Sequence, residues 1–392
     1  MFEFRLFPAA VTVWLVTWLV VSGHPVWWAF LLLPLVVVQR GQAVVCLCLG
    51  ALAWIVSRQR SGEVKGTIGT VVGTPREGYV RVRIEGQEVP FFPREVPEDL
   101  RAGDIVDMTR GVEVIEKAST WAVDRLSLLP EREQGLVVGM VLGDVSQQTP
   151  ADRQLYIDTG LSHLSAVSGA NVAVVLTCVF LFCRFLGVGP LWQVFFGALA
   201  LAGFVALVGP EPSVLRAAMT GIVALLAVVN SSRVQPQHAL CLGICVLLFV
   251  DSYLATSFGF ALSVAATASI VLLSPLLTRL LSGLRLPEVL TRAMAVSIAA
   301  DMATMPLIAL MTGKVSLVSV VANVLVAPAT APITVVGLAA IIIRPLMWLT
   351  YPFAWWIVTV AENVPPVTVE MSPLGAVLLY AWVIVVLSWA VR

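Results

Sequence analysis

The sequence is poor in charge and poorer still in histidine. Only 12% of its 392 residues are Asp, Glu, Lys or Arg, about half of the roughly 25% usual in soluble domains. The formal net charge is zero, so no global basic field points to a nucleic-acid surface. The three histidines, His24, His163 and His238, lie far apart, which excludes an H-x-H-x-D-H zinc cluster. There is no glycine-rich phosphate loop with its lysine, which excludes a nucleotide-driven motor. Gly160-Leu161-Ser162-His163 is not a G-x-S-x-G elbow, and Ser168 has no general base placed by spacing. Low-complexity tracts and internal repeats are also missing. The six cysteines, Cys46, Cys48, Cys178, Cys183, Cys241 and Cys245, all sit in apolar runs. There a thiol serves as a small buried hydrophobe, and neither a disulfide nor a metal site is expected. No cofactor and no enzymatic activity are expected.

What is present is apolar sequence, 59% of the chain, in recurring runs near the ~20 residues that span a bilayer. The expected fold is a polytopic α-helical membrane protein with a small inserted β domain near its N-terminus. Residues 1–60 predict about three spans, at Leu6–Ser22, Val26–Val38 and Ala43–Val56. Trp27 and Trp28 anchor the second at the interface. Arg5 is followed by an apolar stretch with no small-residue cleavage site, which predicts an uncleaved first helix. Residues 61–118 change character. Tyr79-Val80-Arg81-Val82-Arg83-Ile84 alternates apolar and charged, the pattern of a half-buried strand, and Glu85-Gly86-Gln87 turns it into a hairpin. Five or so short strands predict a compact, OB-like barrel. Residues 119–392 return to membrane sequence, with amphipathic segments at Ser119–Leu129 and Pro150–Asp158 and a short apolar segment at Leu136–Leu142. Spans are expected at Leu191–Val208, Val214–Val229, His238–Val250, Leu254–Leu273, Met294–Met311, Leu317–Ile343, Met347–Val360 and Pro373–Val391. Pro328 and Pro332 divide Leu317–Ile343, as one broken helix or a re-entrant pair.

One stretch stands out, Gly160-Leu161-Ser162-His163-Leu164-Ser165-Ala166-Val167-Ser168-Gly169-Ala170-Asn171-Val172. It opens an apolar run, yet carries His163, Ser165, Ser168 and Asn171 beside Gly169. Polar groups at membrane depth must pair or face water. The stretch therefore reads either as a broken helix start lining a polar cavity or as polar glue between helices. Three further polar sites join it. Arg216 follows Glu211 and the helix-capping Ser213, and it needs a partner, with Glu211 or Asp301 available. Asp301 sits mid-span with Thr304 on its face. Asn323 precedes Pro328.

These residues also carry a resemblance. His163-Leu164-Ser165-Ala166-Val167-Ser168-Gly169-Ala170-Asn171-Val172, led in by Leu142-Gly143-Asp144 and Thr159-Gly160-Leu161, resembles the most recognisable motif of the ComEC competence-channel family. Ser213–Met219, Phe258–Ala266 and Ala300–Pro328 resemble the motifs that follow, in the same order. The resemblance implies an inner-membrane channel that passes single-stranded DNA during natural transformation. The implied partners are single-stranded DNA and the bilayer, with a DNA receptor protein and a cytoplasmic helicase or motor as candidates. Many relatives have histidine where this chain has Asn171, and often glutamine at the place of Asp301. Many also end in a metallo-β-lactamase-like domain proposed as a nuclease. This sequence stops at Arg392 without a zinc-ligand cluster, so nuclease activity is not carried over. A reading from a different class is a small-molecule or ion permease coupled through Arg216 and Asp301, and a third is a membrane scaffold. Arg5 and Arg40 mark the cytoplasmic side if the first span runs outward, and three spans then put the β domain on the outer face. Arg58 and Arg60 would lie there against the rule.

OB-folds that grip single strands use a basic groove with stacking aromatics. Between Ser61 and Ala118 there are eight basic and eleven acidic residues, a net charge of −3, and only Tyr79, Phe91 and Phe92 are aromatic. The isolated fragment Ser61–Ala118 is therefore expected to bind single-stranded DNA weakly in a filter or anisotropy assay. Tight binding at physiological salt with a steep salt dependence would contradict this.

Overall fold

The computed structural model describes residues 6–24, 43–60, 68–71, 80–84, 87–91, 105–107, 113–116, 120–145, 147–165, 167, 169–208, 214–219, 221–222, 235–372, 375, 378 and 381–382. In chain order the elements are α1 (Phe7–Val21), α2 (Ala43–Arg60), β1 (Ile68–Val71), β2 (Val80–Ile84), β3 (Gln87–Phe91), β4 (Ile105–Asp107) and β5 (Glu113–Glu116). Next come α3 (Thr120–Arg125), α4 (Glu131–Leu142), α5 (Pro150–Asp158), a 3-10 turn at Ser162–Ser165, α6 (Gly169–Phe185) and α7 (Pro190–Val208). Residues 214–219 are helical. They are followed by α8 (Pro236–Val250), a 3-10 turn at Ser252–Thr256, α9 (Phe258–Leu281), α10 (Glu288–Thr312), β6 (Lys314–Ser316), α11 (Ser319–Ile342), a 3-10 segment at Arg344–Thr350, α12 (Tyr351–Asn363) and β7 (Thr368–Glu370). Among the described residues, four helices, Pro190–Val208, Phe258–Leu284, Glu288–Thr312 and Ser319–Ile342, are long and apolar enough to cross a bilayer. The chain is a helical membrane protein.

It divides into two units. The first comprises Met1–Thr120 and Val175–Ala261. Its helices pack closely because small residues meet across the α1–α2 contact: a Cβ added at Gly50 would lie 3.1 Å from the Thr12 methyl. The Trp14 indole donates to the Ala255 carbonyl at 3.0 Å and its ring lies 5.0 Å from that of Phe260. Ser57 donates to the Ser252 hydroxyl at 3.3 Å. The five strands pair antiparallel in the order β3-β2-β1-β4-β5. Val82 and Ile84, the positions of β2 expected to face inward, are buried, as are Val71 and Val106. The expected OB-like barrel is not shown. Closure requires the two outer strands to pair, and among the described residues β3 and β5 remain edges. Pro90 lies in β3, in an edge strand where a residue without an N–H is tolerated.

The second unit comprises Trp121–Val174 and Leu262–Arg392. At its centre is α4, buried from Gly135 to Leu142. Twelve residues rise only about 18 Å, against the ~30 Å of a bilayer core. A half-helix of this kind is stable at membrane depth only when protein surrounds it. α11 supplies one wall, and does so through Gly337, where an added Cβ would come within 2.6 Å of a Val141 methyl. α12 and the 3-10 turn at Ser162–Ser165 also pack on it. Arg125 of α3 caps the far end of α11, donating to the Ile341 and Ile342 carbonyls at 3.1 Å each. These carbonyls would otherwise be left unpaired by the helix end. The Ser269 hydroxyl ties α9 to the Ala299 carbonyl of α10.

Several expected boundaries change. Leu317–Ile343 forms neither a re-entrant pair nor two pieces: α11 runs continuously through Pro328 and Pro332. The Trp356 indole of α12 donates to the Leu325 carbonyl of α11 at 2.9 Å. Met347–Val360 is not one span, because Arg344–Thr350 is 3-10 and α12 has only 13 residues. Leu136–Leu142 is part of buried α4. The expected span at Val26–Val38, most of Pro373–Val391 and half of Val214–Val229 lie outside the described residues.

The Gly337–Val141 contact yields a test. Gly337→Ala is expected to force α11 from α4 and cost about 1–3 kcal/mol, the usual range for overpacking. Gly203→Ala, where an added Cβ meets nothing within 4 Å, should leave the melting temperature of the detergent-purified protein unchanged.

Candidate functional site

The polar stretch at Gly160–Val172 folds as a broken helix start. Helix α5 ends in a Schellman turn: Leu161 N–H reaches the Tyr156 carbonyl at 2.7 Å and Gly160 N–H reaches Ile157 at 3.1 Å. Gly160 has φ +75°, and a Cβ there would lie 2.4 Å from the Ser319 Cβ and 2.9 Å from its Cα. Only glycine fits both the conformation and the space. After this corner the chain makes one 3-10 turn, whose apolar residues Leu161 and Leu164 are buried while Ser162 and His163 are exposed. The His163 side chain hydrogen-bonds the Gly160 backbone. Helix α6 starts only at Gly169.

Three strands of sequence meet at this corner. Ser316 donates to the Asp158 carbonyl at 2.9 Å. Ser319, at the start of α11, donates to Asp301 Oδ2 at 2.5 Å and also approaches the Ser316 carbonyl at 3.3 Å. Asp301 on α10, Ser319 on α11 and the Gly160 corner therefore form one polar seam. At the other end of the break, Asn171 is 7% exposed. Its Nδ2 donates to the Met140 carbonyl of α4 at 2.8 Å, and its Oδ1 accepts from the Thr334 hydroxyl of α11 at 3.2 Å.

The other sequence-selected residues are placed as follows. Arg216 is buried at 8% exposure in the helical stretch 214–219 of the first unit and is engaged within the protein. Asp301 belongs to the second unit, where its carboxylate accepts from Ser319. Asn323 has a buried Oδ1 without a hydrogen-bond partner among the described residues. Glu211, Ser213 and Ser168 lie outside the described residues, as does the side chain of Ser165.

A second polar cluster has no counterpart in the sequence reading. Arg132, in the first turn of α4, donates to Asp152 Oδ1 of α5 at 2.5 Å and to Glu362 Oε1 of α12. The Thr149 hydroxyl donates to Asp152 Oδ2 at 2.7 Å and accepts from the Asp152 N–H at 3.1 Å, capping α5. Beneath lies Tyr156, 1% exposed. Burial first, and then the charge of Asp152, push its phenol well above the usual tyrosine range. The spacing Thr149-x-x-Asp152 signals the cap, but nothing local could reveal Glu362, 230 positions from Arg132.

The model of a family described as "Competence protein" matches residues 140–392. "ComE operon protein 3" of Bacillus subtilis (strain 168) is 30% identical over 202 residues, which cover 52% of this chain and 25% of that relative. The chain thus spans about a quarter of the length of that curated relative. No solved structure matches.

The Arg132 cluster is graded in exposure, with side chains 37% exposed for Arg132, 10% for Asp152 and 48% for Glu362. Truncation should follow that grading. Asp152→Ala is expected to cost about 1–3 kcal/mol, because a buried guanidinium bond and a helix cap are lost together. Glu362→Ala should cost under about 1 kcal/mol, as for exposed pairs. Denaturation of the two variants in one detergent measures the difference, and equal losses would contradict the assignment.

Proposed function

The chain belongs to the competence protein family, and on that premise we propose that it forms an inner-membrane path by which single-stranded DNA enters the cytoplasm during transformation. The observation that carries the reading is the break at Ser162–Gly169, which sets an interrupted helix and polar side chains beside a half-helix too short to span. Interrupted helices at membrane depth are tolerated where protein buries them or where they line a water-filled passage. A passing strand presents phosphates and requires cationic and hydrogen-bonding groups that carry no sequence preference. Arg216 offers a permanent positive charge, and Ser162 and His163 offer accessible hydrogen-bonding groups. Asn171 takes a different role, since both functions of its amide are already engaged in packing. The small β domain is assigned to the outer face. The proposal contains no strand-cleaving step, because the sequence supplies only three scattered histidines.

The test is a clean deletion complemented with variants and scored for uptake of labelled DNA, with membrane-inserted protein measured in parallel. Arg216→Ala is expected to abolish uptake while the protein remains inserted. Asn171→Ala should reduce uptake only in step with the loss of folded protein, because truncating it leaves buried partners unpaired at a cost of about 1–3 kcal/mol. Uptake at the wild-type level in the deletion strain or in Arg216→Ala would overturn the reading.

A further inference from the structure

The segment joining α4 to α5, and α5 itself, concentrate buried polar atoms with unused hydrogen-bonding capacity. Among the described residues, Gln148 Oε1, Arg153 Nε and the Tyr156 hydroxyl are buried and have no partner. Gln148 and Tyr156 are only 4% and 1% exposed. Two of these side chains are pinned at their other donors. Gln148 Nε2 donates to the Gly135 carbonyl at 3.2 Å, and Arg153 Nη2 donates to the Val145 carbonyl at 2.6 Å. The backbone is equally fixed, since a Cβ at Gly135 would lie 2.8 Å from the Gln147 carbonyl oxygen. Neither Gln148 nor Arg153 can swing out to find a partner without giving up its bond. Arg153 and Tyr156 are three positions apart on α5 and share a side of the helix.

Buried polar groups in native proteins are almost always satisfied, by protein or by ordered water. Here the unused set is one acceptor, one donor and one hydroxyl that is both. An anion would meet the charges of Asp152 and Glu133, which act on the Tyr156 phenol. A cation would meet Arg132 and Arg153. Water donates and accepts, carries no charge, and needs only two to four polar partners and a small space. We propose that the α4–α5 connection encloses an internal hydration site, with ordered water bonded to Tyr156, Arg153 and Gln148. The site stands independently of the channel reading. It brings solvent to the polar end of the central half-helix, beneath the Arg132 cluster, while the apolar part of α4 stays dry.

X-ray radiolytic footprinting of the full chain in lipid nanodiscs, equilibrated in water enriched in oxygen-18, tests this directly. Radicals formed from bound water oxidise side chains that bulk solvent does not reach. Tyr156 is expected to take up labelled oxygen several-fold faster than Phe260, which is equally buried at 0% but packs on the ring of Trp14. Labelling should persist when a radical scavenger is added to the bulk. Protection of Tyr156 equal to that of Phe260, or labelling that the scavenger removes, overturns the proposal.

Discussion

One amide closes the interior of the second unit. Asn171 donates to the carbonyl of Met140 and accepts from Thr334, so three helices are held through a single side chain. The need arises from α4. A helix that ends inside the protein leaves its last carbonyls unpaired, and in a bilayer no solvent is at hand to satisfy them. Position 171 must therefore supply a donor to α4 and an acceptor to α11. Asparagine has both. Neutral imidazole also has one of each, so histidine could serve the same two partners. An aspartate would keep the acceptor but lose the donor.

Close approach of backbones serves the same requirement. Gly337 lets α11 lie against Val141, and Gly160 lets the α5 corner lie against Ser319. With the helices this near, short side chains span the gaps: Ser319 reaches Asp301, and Ser316 reaches the Asp158 carbonyl. Pro328 and Pro332 have no N–H to give, yet α11 stays helical through both. Around them the Trp356 indole, Thr330 and Thr334 bond to the carbonyls of Leu325, Ala327 and Thr330. Proline positions alone suggested a division that the fold does not have.

Much of the membrane architecture was legible, because hydropathy reports directly on the solvent each helix faces. α1, α7 and α10 lie close to their expected ranges. The break before α6 was legible too, since glycine, serine and asparagine together disfavour a regular helix start. The choice between cavity lining and glue was not. Asn171 proves to be glue because of Met140 and Thr334, 31 and 163 positions away, and spacing carries no such information. The same holds for Arg132, whose partners come from α5 and α12. Helix ends near α9 and α12 were misplaced because a 3-10 turn has the same apolar composition as the helix it adjoins. Strand alternation placed β2 correctly, while closure of the sheet depends on edges that no local pattern encodes.

The polar residues at depth fall into two groups, and the difference bears on function. Asn171 spends both functions of its amide inside the protein, the Thr334 hydroxyl donates to Asn171 and towards the Thr330 carbonyl, and the Ser319 hydroxyl is held by Asp301. Saturated groups of this kind fix geometry and have nothing left for a moving ligand. A path for a polymer needs the opposite, groups held firmly at one atom and free at another, so that each phosphate or base finds a partner and then leaves it. The described hydrogen bond of the His163 side chain is to the Gly160 backbone. An imidazole has two nitrogens, so one can anchor the ring to the Schellman corner and leave the other for a second partner. The glycine corner that only a residue without Cβ can make is thus also what positions the histidine.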